Sequence, residues 1–514
     1  MLLLGTVVKR ALGLRKTLQK ARRSAPAHTV QQRTLVKLIR KARKTEFGKH
    51  FGFREILNSE EIEKEFRKRV PISDYDSMHK DWWHLSLQEK KGVCWPGKIK
   101  YFALSSGTGN ASSKQIPVTQ SMLRSMRKTG IRQLLTLINY PFPEDFYGKG
   151  VLVLGGSSEL TRVGHYYQGD LSGINQAKMP FYTRPFYKPG RTIAKVKDWH
   201  LKIDEIVKKA PSWDIVMLTG VPAWNQIVLE KIIDYYNLKH IHEIWPNLSV
   251  FIYGGVALAP YKKSFDPLLG KPIHYLQTYL ASEGFIAFQS RPNTEGMELV
   301  LNNGLYFEFI PFNGKNFTPD GQLKDNVDCV CIKNVKEKTD YALVLSSNAG
   351  AWRYLIGDTV RFSNVMQNEI VITGRIQQFL SLCGEHLSLD NMTRAVAQLS
   401  ESENLPIPEF TVAGVSLDNA FAHHWFLGIS TEIPESIQIV NKLDQILCGL
   451  NDDYALEREH LLREIKVWLI PASVFFKWME FKGKLGGQHK FPRVLNSERH
   501  QEWLTFLKSE NVML

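Results

Sequence analysis

Cysteine is scarce in this chain: five in 514 residues, at positions 94, 329, 331, 383 and 448. The odd number and wide spacing exclude a disulfide scaffold, and no Cys-x-x-Cys pair occurs. Cys329-Val330-Cys331 is too tight for the usual zinc knuckle and lies in an alternating run, 327–332, that predicts a buried strand. All five are expected as free thiols in a reducing, cytoplasmic compartment. Long apolar runs are also lacking. No stretch of 18 uncharged apolar residues occurs, which excludes a membrane-spanning helix. The apolar opening, residues 1–8, stops at Lys9 and Arg10, too short for a secretory signal core. Repeats and low-complexity tracts are missing too. With 43% hydrophobic and 23% charged residues, what remains is a globular chain long enough for two domains.

Acid is nearly absent from one region. Residues 1–50 hold 14 Lys/Arg against a single acid, Glu46, leaving 52 basic and 50 acidic side chains for the other 464. The net charge of +15 is thus concentrated at the start, and the near-neutral body gives no whole-protein nucleic-acid footprint. Leu35, Leu38 and Ile39 recur at helical spacing among Lys37, Arg40, Lys41 and Arg43, which predicts a solvated basic helix capping the domain. An organelle transit peptide shares this composition, and the basic start leaves room for weak contact with an anionic surface.

Apolar runs alternate with helical stretches from about residue 100 to 375. Segments 150–155 (GVLVLG), 213–218 (WDIVML) and 248–253 (LSVFIY) predict short buried strands, with a helix over 223–236. This is the rhythm of an α/β domain with a largely parallel sheet. Segments 305–311, 342–346, 359–362 and 369–373 alternate regularly and predict an antiparallel sheet. After Gly374-Arg375 the pattern changes to helices at 389–399, 436–447 and 455–466 with strands at 410–415, 425–430 and 467–471. The expected fold is a large N-terminal α/β domain with mixed sheets (1–375) and a smaller C-terminal α+β lid (376–514).

Five segments carry chemistry. Ser105-Ser106-Gly107-Thr108-Gly109-Asn110-Ala111-Ser112-Ser113-Lys114 follows a strand-like 101–104 (YFAL). Its glycines let backbone N–H groups converge, its hydroxyls donate, and Lys114 adds a point charge, a nest suited to phosphate. No Gly-Lys-Ser/Thr follows, so it is not a Walker A loop. In Tyr279-Leu280-Ala281-Ser282-Glu283-Gly284 the aromatic can stack on a base and the carboxylate can hold Mg²⁺. Asp358, after Gly357 in Trp352-Arg353-Tyr354-Leu355-Ile356-Gly357-Asp358, can accept hydrogen bonds from ribose hydroxyls. Arg375 sits at the domain boundary, ahead of Leu382-Cys383-Gly384-Glu385-His386. The glycine-rich loop Gly483–Arg493 can swing Lys490 onto a polyphosphate. Each segment alone is also a common turn or solvated loop.

In this order and spacing the set resembles the adenylate-forming superfamily and, more closely, the acyl acid amido synthetase family, in a bacterial-type member. Family-like residues run from Thr45-Glu46-Phe47-Gly48 through the phosphate loop. They continue with Thr219-Gly220-Val221-Pro222, Gly254-Gly255, Ser282-Glu283-Gly284, Phe307-Glu308-Phe309-Ile310-Pro311, Arg353-Tyr354, Gly357-Asp358 and 488–493. The resemblance implies a ligase that uses ATP and Mg²⁺ to join a carboxylic acid to an amino acid through an acyl-AMP. It implies that Ser105, Ser106 and Thr108 bind phosphates, with Gly107 and Gly109 giving close approach. Lys114 and Ser282 belong to the same ATP site. Tyr279 is expected to stack on adenine, Glu283 to hold Mg²⁺, Asp358 to bind ribose with help from Arg375, and Lys490 to reach the phosphates from the lid. The acid is expected near Gly220, Val221, Pro222, Gly254 and Gly255. Two features depart from the superfamily pattern: Gly109-Asn110 replaces a second loop threonine, and the hinge continues as Ile376-Gln377-Gln378. For the amine step, His386 and His489 are the nearby candidate bases. Two alternatives remain open here: an acyl-CoA ligase, although the chain ends without the Pro-Lys-Thr-x-Ser-Gly-Lys segment of that group, and a non-catalytic protein docking through its basic N-terminus.

Overall fold

The computed structural model describes residues 25–105, 114–256, 258–318, 321–376, 380, 382, 385, 387–417, 420–430, 439–460, 462–483 and 490–512. The basic helix Ala27–Ala42 buries Leu35, Leu38 and Ile39 and turns its Lys/Arg face outward. It also seals a sheet edge. The Gln31 side-chain amide donates to the carbonyls of Leu301 and Leu305 and accepts from the N–H of Phe307. One side chain thereby satisfies backbone groups that a missing neighbour strand would leave orphaned.

The body is built on a twelve-stranded sheet. Its parallel part runs in space as Tyr187–Lys188, Gly150–Val153, Ile215–Gly220, Val250–Gly254 and His274–Ala281. Helices Trp199–Lys209 and Pro222–Tyr236 cover one face through Trp199, Ile203, Val228 and Leu229. Leu137, Phe142 and Phe146 pack against Val216, Met217, Val250 and Ile252 in a second cluster. Beyond His274–Ala281 the pairing turns antiparallel, through Gly284–Phe288, Met297–Leu299, Glu369–Arg375, Tyr354–Asn364, Asp340–Ser347 and Leu305–Pro311. Both halves expected from hydrophobic periodicity are therefore present, joined in a single sheet. A second, four-stranded sheet carries Tyr101–Ser105 and Lys114–Val118.

The C-terminal part has its own sheet, ordered Leu462–Pro471, Ala420–Ile429, Glu409–Leu417, Val494–Leu495. Helices Leu389–Ser402 and Ile439–Leu450 pack on one side, and Ala472–Phe481 and Ser497–Ser509 on the other, each over a separate apolar cluster. One expectation fails here. The helix expected over 455–466 ends at His460, and Leu462–Pro471 is a strand paired in parallel with Ala420–Ile429. Ile465, Val467 and Leu469 pack into the sheet's apolar side, so strand pairing overrides the helical composition of Arg463-Glu464-Ile465-Lys466. The strand expected over 327–332 shrinks to Val330–Cys331. Cys94, Cys329, Cys331 and Cys448 are free thiols, and Cys383 lies outside the described residues. No helix among the described residues is long and apolar enough to cross a membrane.

Candidate active site

The carboxyl ends of the parallel strands open into a cleft of about 2090 Å³ between body and lid, where open α/β sheets place their ligands. Gly220, Val221, Gly254, Gly255, Ser282, Glu283, Lys114, Tyr279, Asp358, Arg375 and Lys490 all border it. Pro222 does not. It is the first residue of helix Pro222–Tyr236, a position where its missing N–H costs nothing. Ser105 pairs with Lys114 across two antiparallel strands, so the segment between them springs from adjacent strand ends. Ser106, Gly107, Thr108 and Gly109 lie outside the described residues, as do His386 and His489.

Asp358 and Arg375 are cross-strand partners on Tyr354–Asn364 and Glu369–Arg375. Arg375 Nε donates to Asp358 Oδ1 at 2.8 Å, and the Tyr279 hydroxyl donates to Oδ2 at 2.5 Å. Asp358, 8% exposed, therefore stays oriented by one charged and one neutral donor. Tyr279 is itself buried: its ring borders the cleft while its hydroxyl belongs to this network. The tyrosine oxygen is held well above its ordinary pKa by burial and by the Asp358 charge.

Glu283 follows the last parallel strand and is 7% exposed. Burial pushes its carboxyl up to about 7. Its own backbone N–H, Arg375 and Lys114 oppose the rise, and Asp358 adds to it. Among the described residues no basic group reaches ion-pair distance of Glu283. A buried carboxyl bordering a cleft without a direct cationic partner fits a divalent cation that also takes phosphate oxygens and water.

Lys490 enters from the lid, and its Nζ donates to the carbonyl of Gly255. A Cβ on Gly255 would stand 3.0 Å from that Nζ, and the residue's φ of +88° is itself a glycine conformation. Lys490 is exposed at the cleft. Desolvation, with Arg375 and Arg493 nearby, lowers its pKa to about 8 against the pull of Asp358.

Asp74 and Tyr75 also border the cleft, and sequence reasoning passed over them. Tyr75 accepts from the Gln115 N–H at 2.9 Å, and Lys114 Nζ lies 5.2 Å from its ring centre. Their only sequence signal was the cap pattern Asp74-x-x-Ser77, which starts a single helical turn. At the far end the cleft is apolar, walled by Leu134, Leu137, Phe146, Val151, Met217 and Ile252. Gln133 Nε2, Tyr187 Oη and Thr278 Oγ1, on residues lining the same cleft, have no hydrogen-bond partner among the described residues. The arrangement offers cations and carboxylates at one end and an apolar chamber at the other.

Three segments match the GH3 family: its N-terminal domain over residues 16–202, its central domain over 298–374 and its C-terminal domain over 390–499. The indole-3-acetic acid-amido synthetase GH3.4 of Arabidopsis thaliana is 23% identical, covering 91% of this chain and 89% of its own. The 4-substituted benzoates-glutamate ligase GH3.12 of the same plant is 22% identical over 91% and 93%. These relatives are plant proteins, and they lend no support to a bacterial-type member. Among solved structures, the GH3.15 acyl acid amido synthetase superposes with a TM-score of 0.78 over 98% of this chain and 96% of that one, at 16% identity. A 2-hydroxyisobutyryl-CoA ligase in its postadenylation state gives 0.55 at 13%, over 93% and 91%. Both likenesses are of fold. The three matched segments together span most of the sequence, and the chain belongs to the GH3 family.

Proposed function

We propose that the protein is an acyl acid amido synthetase: it activates a carboxylic acid with ATP and transfers the acyl group to the amine of an amino acid. One observation carries this reading. Glu283, Asp358, Arg375, Lys114 and Lys490 come from separate elements to one end of a cleft whose other end is apolar. A carboxylate cannot acylate an amine directly, because its leaving group would be oxide. In the first step its oxygen attacks the α-phosphorus of ATP, the bond to the β-phosphate bridge breaks and pyrophosphate leaves. In the second the amine nitrogen attacks the acyl carbon, the bond to AMP breaks and the amine loses its proton. Two anions meet in the first step, so cations must stand close by.

Within this reading Asp358, steadied by Arg375 and Tyr279, holds the ribose, and the Tyr279 ring borders the base. Ser105, Ser106 and Thr108, with Gly107 and Gly109, cradle the phosphates beside Ser282. Lys114 approaches from the body and Lys490 from the lid, residues 376–514. Glu283 holds Mg²⁺, which when bound draws charge off the phosphate oxygens. The acid lies between the glycine strand ends, Gly220-Val221 and Gly254-Gly255, and the apolar chamber. The free thiols support a reducing, cytoplasmic setting.

The test is ATP–pyrophosphate exchange with Mg²⁺ over a panel of indole-3-acetic, jasmonic, 4-substituted benzoic and aliphatic acids, without amine or CoA. Exchange with one acid class establishes the first step. Amide formation on adding amino acids establishes the second, whereas thioester formation with CoA would replace it. Failure to bind ATP at all would overturn the reading.

A further inference from the structure

Lys490 and Arg493 of the lid meet Gly255 and Tyr261 of the body. Lys490 donates to the Gly255 carbonyl. Three residues on, Arg493 donates from Nη1 to Glu409 Oε2 at 2.7 Å and to the Phe410 carbonyl at 2.8 Å. Its Nη2 donates to the Tyr261 hydroxyl at 3.2 Å, and its guanidinium lies 4.6 Å from the Phe410 ring centre. The Tyr261 hydroxyl in turn donates to the other carboxylate oxygen, Glu409 Oε1, at 2.5 Å.

Glu409 and Arg493 both belong to the lid, on strand Glu409–Leu417 and just ahead of Val494–Leu495. Tyr261 belongs to the body, on the short helix Ala259–Phe265. The lid thus presents an ion pair as a socket, and the body inserts one hydroxyl that both donates and accepts. All three side chains are nearly excluded from water. Other polar contacts across the interface among the described residues are simpler: Lys263 Nζ donates to the Ser400 carbonyl at 2.7 Å, and the exposed His200–Glu480 pair spans 3.2 Å, a screened contact of little weight.

We propose that Tyr261 is a positioning residue whose hydroxyl, seated between Glu409 and Arg493, holds the lid closed and Lys490 at the cleft. The proposal rests on the role given to Lys490 above. It makes the closed lid a discrete state. When the lid leaves, water can replace the tyrosine hydroxyl on an ion pair that stays intact, so the socket opens without stranding a charge. Because Lys490 and Arg493 are three residues apart, and Gly255 and Tyr261 six, seating the pin fixes the reach of the lysine.

The test is Tyr261→Phe in the full chain, which removes one hydroxyl and no charge. Pyrophosphate exchange with an acid the wild type accepts should fall about ten- to hundredfold in kcat, the weight of hydrogen bonds to charged groups. The KM for ATP should hold within about twofold, an expectation of the positioning role. Aminolysis of supplied acyl-AMP should keep the wild-type rate, since only the first step needs Lys490. Arg493→Lys should behave alike, and Glu409→Gln, which keeps an acceptor, should lose less. Equal loss in both half-reactions, or unchanged exchange, overturns the proposal. A second measurement needs no acid: pulse acetylation with acetic anhydride, with Lys490 read by mass spectrometry across pH. Tyr261→Phe should move its midpoint from near 8 toward the ordinary lysine value, about 10.4. An unmoved midpoint refutes the pin even if no acid is found, while a wild type inactive with every acid counts against the proposed function instead.

Discussion

Arg353→Met should strongly destabilise the body although Arg353 touches no reacting group. Glu308 is 1% exposed. Arg353 Nε donates to its Oε2 at 3.0 Å, and Arg353 Nη1 also serves the carbonyls of Arg67 and Val70 at 3.0 and 2.8 Å. Among the described residues, the other carboxylate oxygen has Arg67 Nε at 3.6 Å and the Cys329 thiol at 3.5 Å as its partners. Methionine fills much of the same volume but leaves one buried carboxylate weakly paired and two carbonyls without donors. Breaking a buried pair from one side costs about 3–5 kcal/mol, against a total stability of about 5–15 kcal/mol for a typical protein. Glu308→Gln, which keeps an acceptor, should cost about 1–2 kcal/mol. The double variant Glu308→Leu/Arg353→Met should cost less than the sum of its single changes, because neither partner is left stranded. Urea unfolding followed by tryptophan fluorescence reads these differences, with the body transition treated apart from the lid. An Arg353→Met protein within about 1 kcal/mol of wild type would refute the reasoning. A functional trace is also expected. The Ser73 N–H donates to the Arg353 carbonyl at 3.0 Å and the Leu355 N–H to that of Ser73 at 2.8 Å, so a loosened Arg353 frees the Asp74-Tyr75 segment at the cleft.

Lys202 is 3% exposed, with its Nζ 3.4 Å from the Gly155 carbonyl. Burial lowers its pKa to about 8 against the pull of Asp170. The unfolded chain therefore holds this proton more tightly. The penalty is complete below pH 8 and fades as pH rises toward about 10.4, so Lys202→Met should stabilise by up to about 3 kcal/mol at pH 7 and little at pH 10.5. Thermal melts at the two pH values decide it; a variant less stable at pH 7 sinks the idea. Glu283→Ala should abolish Mg²⁺-dependent pyrophosphate exchange while melting no lower than wild type, since it removes a buried carboxyl without a direct cationic partner. Normal exchange would remove the metal role. Asp358→Ala should raise the KM for ATP, and an unchanged value would take Asp358 out of the ribose site.

Three parallel strands, Gly150–Val153, Ile215–Gly220 and Val250–Gly254, were legible as short apolar runs ending at or near a glycine, and the helix after Ile215–Gly220 announces itself with Pro222. Four antiparallel strands were legible from alternation, whereas Tyr187–Lys188, His274–Ala281, Gly284–Phe288 and Met297–Leu299, short or mixed in polarity, were not expected. What escaped is set by distance along the chain. Tyr261 and Glu409 are 148 positions apart, and Arg493 lies 84 beyond Glu409; no local pattern marks a tyrosine as the partner of a remote ion pair. Leu462–Pro471 was misread over its first half because Arg463, Glu464 and Lys466 suit a helix, and only its neighbour Ala420–Ile429 makes it a strand. Nothing in the sequence marks Gln31, though its amide closes a sheet edge. Arg353 stood in the motif beside Asp358, yet the structure makes it a strut of the fold. A residue's place in a motif fixes its neighbourhood without fixing its task.

The charges around the cleft follow a division that the motifs alone could not display. Asp358 is already neutralised by Arg375, so it does not repel an incoming polyphosphate at full strength. Glu283 has no such ion pair among the described residues, and burial raises its carboxyl to about 7, where a proton or a divalent cation can settle it. Two of the lysines that border the cleft are carried differently, Lys114 on a strand of the body and Lys490 on the lid. Only the second can be withdrawn without disturbing a sheet. Under the proposed function, positive charge is wanted while pyrophosphate departs. Once the anhydride has formed, the same charge would hold the product back and occupy room the amine must cross. In the proposed arrangement, a lysine carried on the lid and seated by one neutral hydroxyl meets both demands. A lysine fixed in the body, or a lid clamped by a charged pair shared between the domains, would serve the first step and obstruct the second.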